Sequence, residues 1–594
     1  MTFTAPPAFT TRPQLVGTFG MAASTHTTAT AVAQAVLERG GNAFDAVAAG
    51  GFVLHIVEPH LNGPGGDLVG IFHAAGATAP TVLMGQGPAP AGATIAHYRA
   101  EGLDLVPGAG GLAAAVPGAV DAWLVLLRDH GTWELDEVLA YAIGYAREGH
   151  PLLAQASATI ARVAELFRDA WPSSAALWMP AGEVPRPGTI VRNPAYAAVL
   201  ERLSAVGAGL TGRVARIDAA RAEWKRGPVA LASTAFLATP HRHSDGSDHA
   251  AVLTAADFAA FDAGYEAPVT AIFRGHTVAK AGSWTQGPAL LGSLRILDGF
   301  DDAQIDPQTG VGAHTIVEAL KLALADRDAY FGEGAAIDQL LTDDYAAARR
   351  AQIGATASRR WRPGELPGRT PFRPPLRTPH GVAGPAGTGE PTVDKTGHTR
   401  GDTCHIDVVD RWGNIVAVTP SGGWLQSSPT IPELGFCLGT RLQTMWLDEA
   451  SPNALRPGAR PRTTLTPTLV LRDGVPVMAL GSPGGDQQEQ WQLPMLVRML
   501  AGGYTAQQAI DAPTLHTTAV VDSFWPRTWT PTGVVIEDRV GSAVVDDLRT
   551  RGHDVTTAGD WALGRLSAVG ISHDDGTVWA AANPRGMQGY AAGR

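Results

Sequence analysis

The chain has 594 residues, 45% of them hydrophobic and 17% charged, a globular balance that excludes a mostly disordered protein. Forty-five Lys+Arg against 56 Asp+Glu leave a net charge of −11 with no basic run, which excludes the clustered cations of a nucleic-acid-binding surface. Two cysteines, Cys404 and Cys437, exclude a disulfide scaffold and a Cys-rich zinc site. They are expected to be reduced, with a pair between them as the alternative.

The N-terminal MTFTAPPAFTTRPQLVGTFG lacks a basic region ahead of an apolar run, so a secretory signal is not expected. Residues Thr30–Gly40 form an amphipathic helical pattern that ends at a Gly pair. Asn42 then caps an apolar helix over Ala43–Val57, which is short for a bilayer and carries Asp45 and His55; a buried helix is expected. A soluble, cytoplasmic protein without membrane partners follows as the expectation. The helix breaks at Glu58-Pro59 before a Gly-rich loop, HLNGPGGD, at 60–67. Helical patterns dominate 110–350, at Ala119–His130, Glu137–Gly149, Ala156–Asp169 and His314–Tyr330. A hairpin is expected over Val269–Gly282, turning near Arg274-Gly275.

Residues 355–402 are rich in Pro, Gly and Arg and poor in large apolar side chains, the pattern of a mobile linker and not of a core element. Strand signals follow. Thr403–Thr419 reads as a β-hairpin around Asp410–Asn414. Further strands are expected at Thr468–Leu471 and Val477–Leu480, joined at Arg472-Asp473-Gly474. GSPGGD at 481–486 opens onto a helix through Leu493–Leu500, with a short helix at Ala506–Ala512. Val534–Ile536, Val555–Ala558 and Ala568–Ser572 read as a closing set of strands. No internal repeat is visible.

A flexible segment running into a buried strand whose first residue is Thr403 suits one chemistry. The Thr hydroxyl attacks the carbonyl of Asp402, and hydrolysis of the ester leaves Thr403 as a new N-terminus. Its hydroxyl is then a nucleophile and its own α-amine the general base. An α-amine has a pKa of about 7.7–8.0, so part of it accepts protons near neutral pH. The spacing alone fits an ordinary linker-to-strand junction equally well.

Five ordered motifs go further: GGNAFDA (40–46) with VEPHLNGPGGD (57–67); PAPAGAT (88–94); GDTCHIDVVDRWGNIVAVT (401–419); RPRTTLTPTLVLRDG (460–474) with GSPGGD (481–486); and AIDAPTLH (509–516). From about Gly20 to the C-terminus the chain resembles the γ-glutamyltranspeptidase family of N-terminal nucleophile hydrolases. The resemblance implies an α+β fold, a four-layer αββα sandwich with two antiparallel sheets between helical layers. It also implies a precursor that cuts itself at Asp402–Thr403 into a large subunit, 1–402, and a small one, 403–594. These form one catalytic unit that needs no cofactor or metal, and a higher oligomer is open to it. Thr403 would be the nucleophile, Gly484 and Gly485 the oxyanion-hole glycines, and Ser421 a hydroxyl supporting the amine. Consecutive glycines also suit a tight turn before a helix, and the two readings are compatible. Thr463 and Thr464 fall on a serine pair that holds the substrate carboxylate.

The departures bear on specificity. Gln86 stands where the family has an Arg for the α-carboxylate, Thr444 near the position of an acid, and Gly423 at that of an Asn. Losing these contacts removes the preference for a free amino-acid head group. Arg441 is either a cation for a differently placed carboxylate or an Arg on a solvated face. The stretch SGGWLQSSPTIPELGFCLGTRLQTMW resembles a subgroup acting on alkylproline units of lincosamide, pyrrolobenzodiazepine and hormaomycin natural products. That resemblance implies hydrolysis of a C–C bond, or of an amide, releasing an acyl group such as oxalyl from a small carboxylate. A genuine γ-glutamyl transferase acting on glutathione and an unprocessed binding protein are the competing readings.

Other polar residues read more plainly. His241, His243 and His249, with Asp245 and Asp248, are expected in a solvated loop and not on a metal. His405 shares the strand face of Thr403 and is expected to be a satisfied structural histidine, while Cys404 points the other way into the core. Trp412 and Trp424 are expected to pack, Trp424 with the option of lining the pocket.

Overall fold

The computed structural model describes residues 3–378 and 403–594, the side chain of Met587 excepted. Fourteen strands build two seven-stranded sheets. They are β1 (Leu15–Gly17), β2 (Gly20–Ser24), β3 (Asp67–His73), β4 (Thr81–Gly85), β5 (Gly264–Glu266), β6 (Val269–Phe273) and β7 (His276–Lys280), then β8 (Ile406–Asp410), β9 (Ile415–Ser421), β10 (Thr468–Arg472), β11 (Val475–Gly481), β12 (Ser567–Ser572), β13 (Thr577–Ala582) and β14 (Tyr590–Gly593). One sheet runs β14-β2-β8-β9-β3-β4-β5 and the other β1-β13-β12-β11-β10-β7-β6, every neighbouring pair antiparallel.

The alternation of side chains along each strand separates three apolar layers. On β8, Ile406 and Val408 face outward onto helices α1 (Thr27–Glu38), α2 (Ala43–Val57), α3 (Ala119–His130) and α4 (Leu135–Glu148). Val409 faces inward, where Met21, Val69 and Ala417 meet Leu469, Ala479 and Val569 of the opposite sheet. The far face of that second sheet carries Val278, Val470 and Leu480 against α6 (Gly287–Leu297), α7 (Gly310–Tyr330) and α8 (Gln488–Leu500). Helix α5 (Ala154–Asp169) packs in a separate cluster with Leu425. The result is the expected αββα sandwich.

Local expectations carry over where the chain's chemistry is strong. Asn42 accepts from the N–H groups of Phe44 and Asp45, and Asp45 returns a bond to Asn42 N–H, a capping box that fixes the start of α2. All three expected hairpin turns hold left-handed residues, Arg274 and Gly275 in the first, Gly413 in the second, Asp473 and Gly474 in the third. Three expectations change. The first part holds more strands than the one expected hairpin, since β1–β5 also precede residue 379; β2 and β3 are buried on both faces and so show no polar alternation. The closing set divides: 533–536 and 554–557 join a separate three-stranded sheet, while 567–572 enters the main one. And the expected linker is no free tail over 355–378. It has no helix or strand, yet Leu366 and Phe372 are buried. Its backbone is bound by α7, where Gly364 N–H donates to Asp326 (2.6 Å) and Tyr330 Oη donates to Gly364 C=O (2.6 Å). Residues 379–402, with the expected scissile bond at Asp402, lie outside the described residues. Among the described residues no helix is long and apolar enough to cross a membrane.

Candidate active site

The register places three polar residues in one row across neighbouring strands. Thr403 bridges Ser421, and Ser421 at the end of β9 pairs with Asp67 at the start of β3. Paired residues share a face, and counting in twos from Val409, Ala417 and Val69 puts all three side chains between the sheets. Thr403 is 1% exposed, and its hydroxyl donates to Ser421 Oγ at 3.1 Å. Gln86 follows Gly85, the partner of Leu68, and so lies at the same edge.

The opposite sheet closes over this row. Gly481, the last residue of β11, lies so close to His405 that a Cβ would fall 2.2 Å from the ring. The chain then enters the GSPGGD loop, where Gly484 has φ 132° and Gly485 φ 50°. A Cβ on Gly484 would also meet the Trp491 ring at 2.4 Å, so both conformation and space demand glycine there. The loop is held rigidly from behind. Arg327 pairs with Asp486, which also accepts from Ser523 N–H (2.7 Å) and Ser523 Oγ (2.6 Å). Gln286 accepts from Arg327 Nη1 (2.7 Å) and donates to Gly485 C=O (2.8 Å). The same Gln286 receives the backbone of Thr463, whose C=O accepts from Gln286 N–H at 3.0 Å. Thr463 and Thr464 are therefore brought to the glycine loop by one network. Thr463 Oγ1 already accepts from Leu465 N–H (3.3 Å), whereas Thr464 Oγ1 is buried without a partner among the described residues.

Arg441 is not on a solvated face. It is 4% exposed and forms a bidentate pair with Asp67, at 2.7 and 2.8 Å. Burial raises the Asp67 pKa, against the pull of Arg441. Asp67 thus joins the site, although sequence reasoning gave it no role. The signal was present: both glycine motifs, GPGGD and GSPGGD, end in an aspartate, and each aspartate anchors a buried arginine.

The remaining candidates sort by contact. Gln86 is buried and folded back, Nε2 donating to Gly87 C=O (2.9 Å) while Oε1 has no partner among the described residues. Trp424 is buried with its ring 6.3 Å from that of Phe524, and its N–H is unpartnered among the described residues. His405 uses both ring nitrogens, on Thr419 Oγ1 (2.8 Å) and Asp407 (2.7 Å), as a satisfied structural histidine does. Cys404 points outward and donates to Glu58 at 3.0 Å; burial, then Glu58, push its thiol pKa well up, which removes thiolate chemistry at neutral pH. Both cysteines are free. Two expectations are corrected. Trp412 is 48% exposed over Arg411, because it sits at the hairpin tip. His243 and His249 are buried, His249 between Glu101 (2.8 Å) and Asp245 (3.0 Å), so they staple a loop. Among the described residues no cluster suits a metal ion.

Two antiparallel sheets between helical layers, with a threonine at the inner edge of one and a glycine loop closing from the other, define an N-terminal nucleophile hydrolase fold. The chain belongs to the family described as Gamma-glutamyltranspeptidase, whose profile matches residues 29–593. It is similar to LmbA2991, of which two solved structures (LmbA2991T421A and LmbA2991HD) align at 52% and 51% identity with TM-scores of 0.92 and 0.93, each covering 99% of this chain and 100% of that one. It is 30% identical to the glutathione hydrolase-like YwrD proenzyme of Bacillus subtilis, over 98% of this chain and 99% of the relative. It is also 30% identical to the oxamate amidohydrolase proenzyme of Klebsiella pneumoniae, over 97% and 99%.

Proposed function

We propose that the chain is a self-processing hydrolase whose nucleophile is Thr403. It would cut its own Asp402–Thr403 bond and then hydrolyse a C–C or amide bond to an acyl group, such as oxalyl, of a small carboxylate, in natural-product biosynthesis. The observation that carries this reading is the row Thr403–Ser421–Asp67 between the sheets, beneath the Gly484-Gly485 loop. The oxamate amidohydrolase relative supports an oxalyl group, since oxamate is the amide of oxalate.

The steps follow from these groups. After processing, the free α-amine of Thr403 takes the proton of its own hydroxyl as Oγ1 attacks the substrate carbonyl. The developing oxyanion sits against backbone N–H groups of the glycine loop, which is already rigid and so costs no reorganisation. Collapse expels an amine, or a carbanion, which takes the proton from the ammonium. Water then attacks the Thr403 ester, the amine again accepting a proton, and the carboxylic acid leaves. Thr464 Oγ1 and the outer edge of Arg441 would hold a carboxylate beside the reacting carbonyl.

Glutathione hydrolysis has less support. Gln86 stands where the family has an arginine and is folded back onto Gly87 C=O. The test is to incubate the mature protein with oxanilate and with a γ-glutamyl anilide. Oxalate release with a slow γ-glutamyl reaction is expected; the reverse preference would replace this reading with the glutathione one.

A further inference from the structure

One deeply buried ion pair has no part in the steps above. Lys280, the last residue of β7, and Glu489, in the first turn of α8, stand 3.7 Å apart, and both are fully buried. Counting in twos from Val278 and Val470 puts Lys280 and Thr468 on the outer face of the second sheet, toward α8. There Lys280 Nζ donates to Thr466 C=O (2.7 Å), to Thr468 Oγ1 (2.8 Å) and to Gln492 Oε1 (3.4 Å). Helix α8 meets the same segment with one face, since 488, 489 and 492 are neighbours at helical spacing. Gln488 Oε1 accepts from Thr466 N–H (3.2 Å), while Gln492 donates to Thr466 C=O (3.0 Å) and accepts from Thr468 Oγ1. The backbone of Thr466, two residues past Thr464, is therefore held on both its N–H and its C=O.

Helix α8 is also the direct continuation of the glycine loop, through the turn Gly485–Gln487. Gln286 ties that loop to the threonine pair a second time, donating to Gly485 C=O (2.8 Å) and to Thr464 C=O (3.4 Å). The segment 463–468 is thus fixed to the loop at Gly485 and again one helical turn later. The ion pair is not built for stability. Both Glu489 oxygens lack a hydrogen bond among the described residues, and a buried pair gains little over apolar side chains of the same volume. The best-attested use of such a pair is to fix register. We propose that Lys280 and Glu489 are positioning residues that set the Thr463-Thr464 pair at a fixed place relative to the Gly484-Gly485 loop. They touch no substrate and act through Thr466. Their effect is on the preference for an acyl group with a carboxylate beside the reacting carbonyl over a plain one, because only the former needs both parts in register. This rests on the proposed roles of Thr403, Thr464 and the glycine loop, and adds two residues to them.

The test compares 4-nitrooxanilate with 4-nitroacetanilide, which has the same leaving group and no carboxylate. The proteins are mature wild type, Lys280→Met, Glu489→Gln, the Lys280→Met/Glu489→Gln double variant and Thr464→Val. The quantity read is the ratio of the two kcat/KM values on one sample, from which any loss of folded enzyme cancels. Wild type should prefer the oxanilate. Lys280→Met and the double variant should lose about tenfold of that preference, the size of one charge-assisted contact. Glu489→Gln should lose less, because Lys280 keeps its bond to Thr466. Thr464→Val should lose a similar factor, and adding Lys280→Met to it should lose no more, since the two act through one path. The double variant carries the test should Lys280→Met, which strands a buried carboxylate, fail to fold. A wild-type ratio in the double variant, or losses that multiply when Lys280→Met is added to Thr464→Val, overturns the inference while the reading of Thr403 stands. A wild type that hydrolyses neither anilide, or that prefers the acetanilide, overturns that reading and the inference with it.

Discussion

Replacing Arg441 by Met tests whether the Asp67–Arg441 pair carries the load at the site edge. Both side chains are 4% exposed and share two short bonds, so removing the cation strands a carboxylate between the sheets. Losing one member of such a pair costs about 3–5 kcal/mol. The sign of its pH dependence is set by Asp67, whose pKa burial already raises; without Arg441 it rises further. A folded-state carboxyl that keeps its proton while the unfolded chain has lost it makes stability fall as pH climbs from about 3.9 toward the folded value. Arg441→Met should therefore lie nearest to wild type at pH 5 and furthest at pH 8, read as thermal midpoints by near-ultraviolet circular dichroism. Adding Asp67→Asn removes the stranded charge and should recover part of the loss at pH 8. A loss that is equal at both pH values, or a double variant no better than Arg441→Met, would refute the reasoning.

Ser421→Ala removes the hydroxyl 3.1 Å from Thr403 Oγ1; a loss of about 1 kcal/mol predicts hydrolysis roughly fivefold slower, checked by steady-state kinetics. Gly484→Ala sets a Cβ against Trp491 at φ 132°, and hydrolysis should fall about 100-fold or more while the far-ultraviolet spectrum is kept. Glu489, buried 3.7 Å from Lys280, has its pKa raised to about 7 by burial, so wild-type stability should decline between about pH 4.3 and 7 on its account. Glu489→Gln should flatten that decline in thermal melts, and an unchanged slope would count against it.

What the sequence disclosed follows physical lines. Helix α2, the three hairpin turns and the strand after residue 403 were legible because caps, left-handed turn residues and apolar runs are local signals. Strand β2, GMAAS, was not, since small residues buried on both faces leave no alternation, and β14, YAAG, is a four-residue edge strand too short to show one. The expected helix through Leu493–Leu500 is present as α8, but its first residues from Gln488 were not legible, being polar yet buried, with Pro494 interrupting the pattern. Thr403, Ser421 and the glycine pair came from motifs. The partners of Asp67 and Asp486 lie 374 and 159 residues away, and no local pattern announces such pairs. Arg441 was visible as a cation but not as a member of a buried pair, because its exposure is decided by Asp67.

The most direct measurement is the intact mass of purified wild type and of Thr403→Ala. The account predicts two species from wild type, residues 1–402 and 403–594, about 42 and about 20 kDa in proportion to length, and a single 61.8 kDa chain from the variant. A folded wild type that stays whole after prolonged incubation, or a Thr403→Ala chain that is cut at the same bond, would contradict it and leave a binding protein in place of an enzyme.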